Sequence, residues 1–317
     1  MSERVGAVDL GTNSVLLTIA EPAVSGLRAV LERATVTRLG QGVDQTRRLH
    51  PDACARTLAC LQDYRRELDA LCVTRVAAVG TSALRDAEFG AEFRAQASAA
   101  LGTEIEVISG PREAALSFAG ALSGLPERGR IFVFDIGGGS TELVWGAAAG
   151  DGSESARTSI ERSTSLDVGS VRLHERFGIG DPPRPGALAD MRIFVRATLQ
   201  GYLPDPEALG PLDAVVGVAG TVTSLTALCL GLTHYQPERV HGAHMNRLAL
   251  RALAARLAAL PLIERERLPG LDKGRADVIV SGALLCTEVL DWLGADELVA
   301  SDRGVRWGLL QELTRTP

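Results

Sequence analysis

Apolar and polar positions along the chain fall into short runs separated by turn residues. Residues 4–21, RVGAVDLGTNSVLLTIAE, hold two such runs. Small and β-branched residues in VGAVD predict a strand, LGTN supplies a turn, and SVLLTIA resumes the strand, so the segment predicts a β-hairpin. From Pro51 onward the period changes. Leu58, Leu61, Leu68 and Leu71 recur at spacings that keep one face apolar, which predicts a helix over 51–72 opened by Pro51. RVAAVGTSALRDA then predicts a strand running into a Gly-Thr-Ser turn. EIEVI, 104–108, predicts another short strand, and the following SGP puts Pro111 in the first turn of a helix. Alternating β and α elements over residues 1–125 predict an α/β layer fold.

At residue 131 the pattern restarts. RIFVFDIGGGSTELVWGA is again strand, Gly-rich turn, strand. When Asp9 is aligned with Asp135, Gly11 falls on Gly137, Ser14 on Ser140 and Leu17 on Leu143. The shared form is an apolar strand followed by D-[LI]-G-x-x-S-x-x-L, an internal repeat that predicts two related domains. The turn-rich LSGLPERGR, 122–130, marks the boundary, giving domains over 1–126 and 127–317. Further on, the Gly-, Ala- and Ser-rich residues 146–165 predict a mobile hairpin loop, and DPPRPG, 181–186, a second loop. Helices are predicted over 187–201, 246–260 and 276–293. DAVVGVAGTVTSLTAL, 213–228, reads as strand, Gly-Thr turn and helix, and ELVASDRGVRWGLL as a closing strand and helix.

Composition narrows the function classes. The chain has 317 residues, and an apolar fraction of 46% is too high for a disordered chain. No apolar run approaches the roughly 18 residues of a membrane span; the best candidate, 248–262, is broken by Arg251 and Arg256. The N-terminus lacks the charged-then-apolar pattern of a secretion signal, so a cytoplasmic protein is expected. A net charge of −6 argues against a general nucleic-acid binder. Lys273 is the single lysine among 33 basic residues, so anion binding must fall to arginine and backbone N–H groups. Cys54, Cys60, Cys72, Cys229 and Cys286 are odd in number and show no CxxC spacing, which fits small core residues in a reducing compartment. His241 and His244 could share a helix face, but no third ligand stands near, so a capping or solvent-facing pair is expected rather than a zinc site.

Each D-x-G-x-x-S turn joins two useful parts. Its small residues let successive N–H groups converge on an anion, and the Asp at the strand end can hold a metal or a metal-bound water. GVAGT, 217–221, is a third Gly turn, and three anion-ready turns suggest a ligand carrying several phosphates. Arg85 follows GTSALR, where its planar fork suits phosphate oxygens; by composition alone it is an ordinary surface arginine. Glu113 stands just inside a helix start, where a carboxylate also serves the helix dipole. Glu142 follows GGGST where the strand resumes. It is either an exposed strand residue or a group that positions water or metal-bound water.

DLGTNS, GTSALRDA, ISGPREAALSFAG, DIGGGSTEL, GVAGTVTSL and LPGLDKGRADVI, in that order, closely resemble the exopolyphosphatase/guanosine pentaphosphate phosphohydrolase (Ppx/GppA) family over about residues 5 to 310. The resemblance implies two ribonuclease H-like α/β domains around a central cleft, as in acetate and sugar kinases, Hsp70 and actin. It implies Mg²⁺-assisted release of terminal phosphate from inorganic polyphosphate, or of the 5′-phosphate of pppGpp. Carried over by motif, Asp9, Gly11, Thr12, Asn13 and Ser14 match the first phosphate loop. Asp135, Gly137, Gly138, Gly139, Ser140 and Thr141 match the second, and Gly220 and Thr221 the third. Arg85 matches a phosphate-contacting arginine, Glu113 the catalytic base, and Glu142 the carboxylate that positions water and metal, with Asp9 and Asp135 beside the cation. The family likeness also implies a homodimer.

Two departures stand out. Many members carry SGxEEA, and here the first of those glutamates is Arg112, so Glu113 alone must serve. Longer members continue into an HD-type metal domain that the 317 residues do not include, which predicts a weaker grip on long polymer. The rival readings are a kinase of the same fold and a non-catalytic sensor of alarmone or polyphosphate. The two glutamates favour water activation over both.

Overall fold

The computed structural model describes the chain except for residues 1–2, 25, 89, 150–156, 203–209 and 316–317. Its eleven described strands are β1 Val5–Leu10, β2 Ser14–Ala23, β3 Gly26–Val36, β4 Arg75–Gly80, β5 Ile105–Val107, β6 Gly129–Ile136, β7 Thr141–Ala149, β8 Arg157–Leu166, β9 Ala214–Val218, β10 His244–Asn246 and β11 Glu297–Ala300. The described helices are α1 Val43–Thr46, α2 Pro51–Ala70, α3 Ser82–Asp86, α4 Gly90–Leu101, α5 Gly110–Ala121, α6 Ser170–Phe177, α7 Pro185–Tyr202, α8 Ala219–Cys229, α9 Pro237–Val240, α10 Arg247–Ala259, α11 Leu262–Arg265, α12 Ile279–Leu293 and α13 Val305–Arg315.

The internal repeat becomes two sheets of one topology. The first runs β3-β2-β1-β4-β5 and the second β8-β7-β6-β9-β11, with β10 added at the β11 edge. In each, a central strand pairs antiparallel with the strand that follows it and parallel with the next along the sheet, β1 with β2 and β4, β6 with β7 and β9. This is the ribonuclease H-like order expected for each half. The hairpin turns repeat almost to the bond length. Gly11 N–H donates to the Ser14 carbonyl at 3.0 Å, and Gly137 N–H to the Ser140 carbonyl at 3.1 Å.

The first unit has apolar packing on both faces of its sheet, as parallel strands require. Alternation along β1 sends Val8 and Leu10 into a core with α2 and α4, through Leu61, Leu68, Phe93 and Leu101. It sends Val5 and Ala7 to the other face, where Leu116 of α5 and Val305, Trp307, Leu309 and Leu310 of α13 bury. Asp9 shares that second face by the same alternation. In the second unit Phe132, Phe134, Leu143 and Trp145 bury against α6, α7, α8, α10 and α12. Asp135 and Glu142 lie on the opposite face of the same two strands.

The structure adds three placements. Beside the expected domains over 1–126 and 127–317, packing groups residues 303–315 with 3–124, and 125–149 with 158–302. The reason is apolar burial: α13 completes the β1–β4 face described above. Residues 146–149 and 157–165 are strand rather than loop, since β7 is laddered to β6 and neighboured by β8; the middle of that segment lies outside the described residues. Pairing partners override the weak strand propensity of Gly, Ala and Ser. His241 caps the end of α9 and His244 sits exposed in β10, the capping or solvent-facing placement expected of them.

Candidate active site

In the first unit the predicted residues gather at the carboxyl ends of three parallel neighbours, β1, β4 and β5, where open α/β sheets bind ligands. The β1–β2 turn is locked from behind. The Thr12 carbonyl accepts from Gly40 N–H at 2.8 Å, and the Asn13 carbonyl from Thr37 and Arg38 N–H at 3.1 and 2.9 Å. The Thr12 hydroxyl is paired with that of Ser82 at 2.7 Å, and a Cβ on Gly40 would meet Thr12 Cγ2 at 2.2 Å. With carbonyls and hydroxyl engaged inside the fold, the turn presents the N–H groups of Thr12 and Asn13, which have no acceptor among the described residues. Ser14 closes the turn through its carbonyl.

Gly80 ends β4, and α3 then carries Arg85. One nitrogen of its guanidinium, Nη1, donates to the Ile108 carbonyl at 2.8 Å and to Glu113 Oε2 at 3.0 Å. Glu113 is 7% exposed and lies in the first turn of α5, its N–H bonded to the Ser109 carbonyl at 2.9 Å. Ser109 caps that helix through the Arg112 N–H, and Pro111 sits in its first turn as the sequence predicts. The Arg85–Glu113 contact is therefore built by the end of a short helix and the start of a longer one, which follow adjacent strands. Arg112, the departure from the family pattern, turns the other way and forms a two-pronged ion pair with Glu312 of α13. The Glu312 carboxylate raises the Arg112 guanidinium above its ordinary range.

The second unit repeats this design with different side chains. Ser170 N–H donates to the Gly137 carbonyl at 3.0 Å, and Val171 and Arg172 N–H to the Gly138 carbonyl at 2.9 and 3.1 Å. Arg172 Nε takes the Gly139 carbonyl at 2.8 Å, and the Thr141 hydroxyl takes the Val168 carbonyl at 2.6 Å. Gly169 must lack a side chain, since a Cβ there would stand 2.4 Å from the Gly138 carbonyl oxygen. Gly138 and Gly139 are thus left, like Thr12 and Asn13, with N–H groups that have no acceptor among the described residues. Ser140 is buried behind them, 2% exposed.

Asp135 and Glu142 are direct cross-strand partners in the β6–β7 register. Side chains of such partners lie on one face with Cβ atoms about 5 Å apart. Glu142 is 1% exposed, and the Ser165 hydroxyl of β8 donates to its Oε1 at 2.8 Å. In the first hairpin the residue opposite Asp9 is Leu16, so the duplication does not extend to the second carboxylate. Among the described residues no group of three or more His, Cys, Asp or Glu could hold a metal. Two carboxylates on one face nevertheless suit Mg²⁺, which takes one or two carboxylates and completes its shell with water and substrate phosphate.

The third turn follows β9, the parallel neighbour of β6. Ala219 adopts φ +68°, an uncommon conformation for a residue with a side chain, and α8 begins there, presenting its N-terminus. Arg275 Nη1 donates to the Gly220 carbonyl at 3.1 Å and to the Ser224 hydroxyl at 3.4 Å, and a Cβ on Gly220 would strike that guanidinium. Thr221 is buried, its methyl against Gly282. Sequence reasoning missed Ser82, Ser165, Arg172 and Arg275. Ser82 and Arg275 had a signal, the GTSALRDA and DKGRADVI segments; Ser165 and Arg172 are ordinary residues whose partners lie far away in the chain.

The chain is 36% identical to exopolyphosphatase 2 of Mycobacterium tuberculosis over 327 aligned residues, covering 98% of each protein. It is 30% identical to the guanosine-5′-triphosphate,3′-diphosphate pyrophosphatase of Aeromonas hydrophila, covering 98% of this chain and 60% of that protein. Among solved structures, the Aquifex aeolicus PPX-GPPA enzyme superposes with TM-score 0.79 at 32% identity, covering 98% of this chain and all of that one. An exopolyphosphatase from Cytophaga hutchinsonii superposes with TM-score 0.87 at 25% identity over 99% of both chains. Residues 18–316 match the Ppx/GppA phosphatase family, and the chain belongs to it.

Proposed function

We propose that the chain is a phosphoanhydride hydrolase of the exopolyphosphatase type, releasing terminal phosphate from inorganic polyphosphate by attack of water. One observation carries the reading: both hairpin turns have their carbonyls tied inward and their N–H groups left for an anion, each turn following an aspartate at a strand end. Likeness to exopolyphosphatase 2 over 98% of both chains supports the same substrate class.

In this reading the N–H groups of the β1–β2 and β6–β7 turns and the first turn of α8 bind phosphate oxygens. Arg85 has its Nη1 on Glu113 and Ile108, and the rest of its fork suits a phosphate oxygen. Glu113, held against Arg85 and shielded from bulk solvent, orients a water and accepts its proton. Asp135 and Glu142 of the second unit would hold Mg²⁺, and Asp9 is the corresponding strand-end carboxylate of the first unit. When bound, the cation neutralises charge on the phosphate oxygens. Positioning and charge stabilisation carry most of the rate in such reactions, with little covalent chemistry left to the protein. The same reading includes a cytoplasmic setting, supported by five free cysteines. It also includes a homodimer, carried by family likeness and tested by light scattering. No described helix is long and apolar enough to cross a membrane.

Phosphate release from short polyphosphate, long polyphosphate and pppGpp, measured side by side with Mg²⁺, tests the proposal. Faster release from polyphosphate is expected. Preference for pppGpp would move the chain to the second reading, which the Aeromonas likeness favours. Tight binding without release would make it a sensor, and transfer from ATP to an acceptor would make it a kinase.

A further inference from the structure

We propose that Ser165 is a positioning residue for Glu142, an assignment that rests on the reading of Glu142 as a cation-holding carboxylate. The β6–β7 register sets Asp135 and Glu142 opposite each other on one face, so two like charges share a small volume. Glu142 is 1% exposed and has almost no water to turn toward. Its carboxylate plane must therefore be fixed by the fold. Ser165 does this from the neighbouring strand β8, its hydroxyl donating to Glu142 Oε1 at 2.8 Å. A donor on one oxygen sets the rotation of the carboxylate and offsets part of the repulsion from Asp135. Removing it leaves the backbone pairing of β6 and β7 intact and takes one donor from the carboxylate. A partner behind a ligating carboxylate commonly governs metal affinity or activity by about tenfold to a hundredfold.

The experiment compares wild type, Ser165→Ala and Ser165→Thr in three measurements. These are Mn²⁺ binding by electron paramagnetic resonance on the protein without substrate, kcat and KM for tripolyphosphate, and thermal unfolding. In Ser165→Ala, Mn²⁺ affinity and kcat should each fall about tenfold or more. KM should stay within about twofold, and the melting midpoint should fall by only a few degrees, as loss of one donor to a buried carboxylate implies. Ser165→Thr, which keeps the hydroxyl and suits a strand, should recover most of both losses. A Ser165→Ala chain that matches wild type in either Mn²⁺ affinity or kcat overturns the proposal. So does a loss that Thr fails to restore, or a wild-type chain that binds no Mn²⁺. If wild type binds Mn²⁺ yet releases no phosphate, the hydrolase reading fails on its own. The Mn²⁺ affinities of the two variants then decide the role of Ser165.

Discussion

Glu113 and Glu142 are both carboxylates withdrawn from water, and they are held in different ways. Glu113 meets a guanidinium at 3.0 Å, whereas Glu142 takes a hydroxyl at 2.8 Å and faces a second acid across the strand pair. An ion-paired carboxylate suits a group that handles a water proton beside phosphate, and an acid pair suits a cation. Glu113→Gln keeps the size of the side chain, so the variant should fold normally. Loss of the general base should lower phosphate release by about 10²–10⁴-fold, read in a steady-state assay. Near-wild-type turnover would remove Glu113 from the mechanism. Arg85 bridges α5 and the end of β5 with one nitrogen, which leaves part of its fork for substrate. Arg85→Lys keeps the charge and loses the planar geometry, so kcat/KM should fall by about tenfold or more. Equal turnover by the lysine variant would show that charge alone suffices there.

The helix that carries Glu113 is set by a second helix from the far end of the chain. Helices α5 and α13 meet at positions four residues apart on each. Arg112 pairs with Glu312, the Leu116 carbonyl lies against Gly308, and Gly120 lies against the Gly304 carbonyl. A Cβ on Gly308 would stand 2.3 Å from the Leu116 oxygen, and one on Gly120 would stand 2.0 Å from the Gly304 oxygen. These obstacles are backbone, so neither can move aside by changing rotamer. Gly308→Ala should therefore destabilise the protein by about 1–3 kcal/mol, the usual cost of overpacking, measured by urea unfolding. Arg112→Ala should change stability by less than about 1 kcal/mol, because both partners of that ion pair are over a third exposed and screened by solvent. A larger loss from Arg112→Ala than from Gly308→Ala would reverse this ranking.

At the scale of the whole molecule, α13 ties the end of the chain to its beginning. Val305, Trp307, Leu309 and Leu310 bury in the same cluster as Val5 and Ala7. Deleting residues 303–317 should strip exchange protection from amides of β1, β4 and α5 while those of β6, β9 and α12 keep theirs, as read by hydrogen exchange. Uniform loss across both units would show one cooperative fold. The sequence by itself determined the repeated hairpins, the α/β alternation and the anion-ready turns. Those are local facts: strand alternation, Gly and Asn at turns, and Pro and Ser at helix starts act within a few residues. Its motifs also singled out Glu113, Glu142 and Arg85 as candidates. Only the tertiary structure decided that α13 belongs to the first unit, that Ser165 holds Glu142, that Ser82 holds Thr12, and that Arg112 turns to Glu312. Each of these joins residues far apart in the chain. Apolar burial is non-directional, and a hydroxyl or guanidinium bonds whichever group the fold brings within reach, so no local pattern announces the partner.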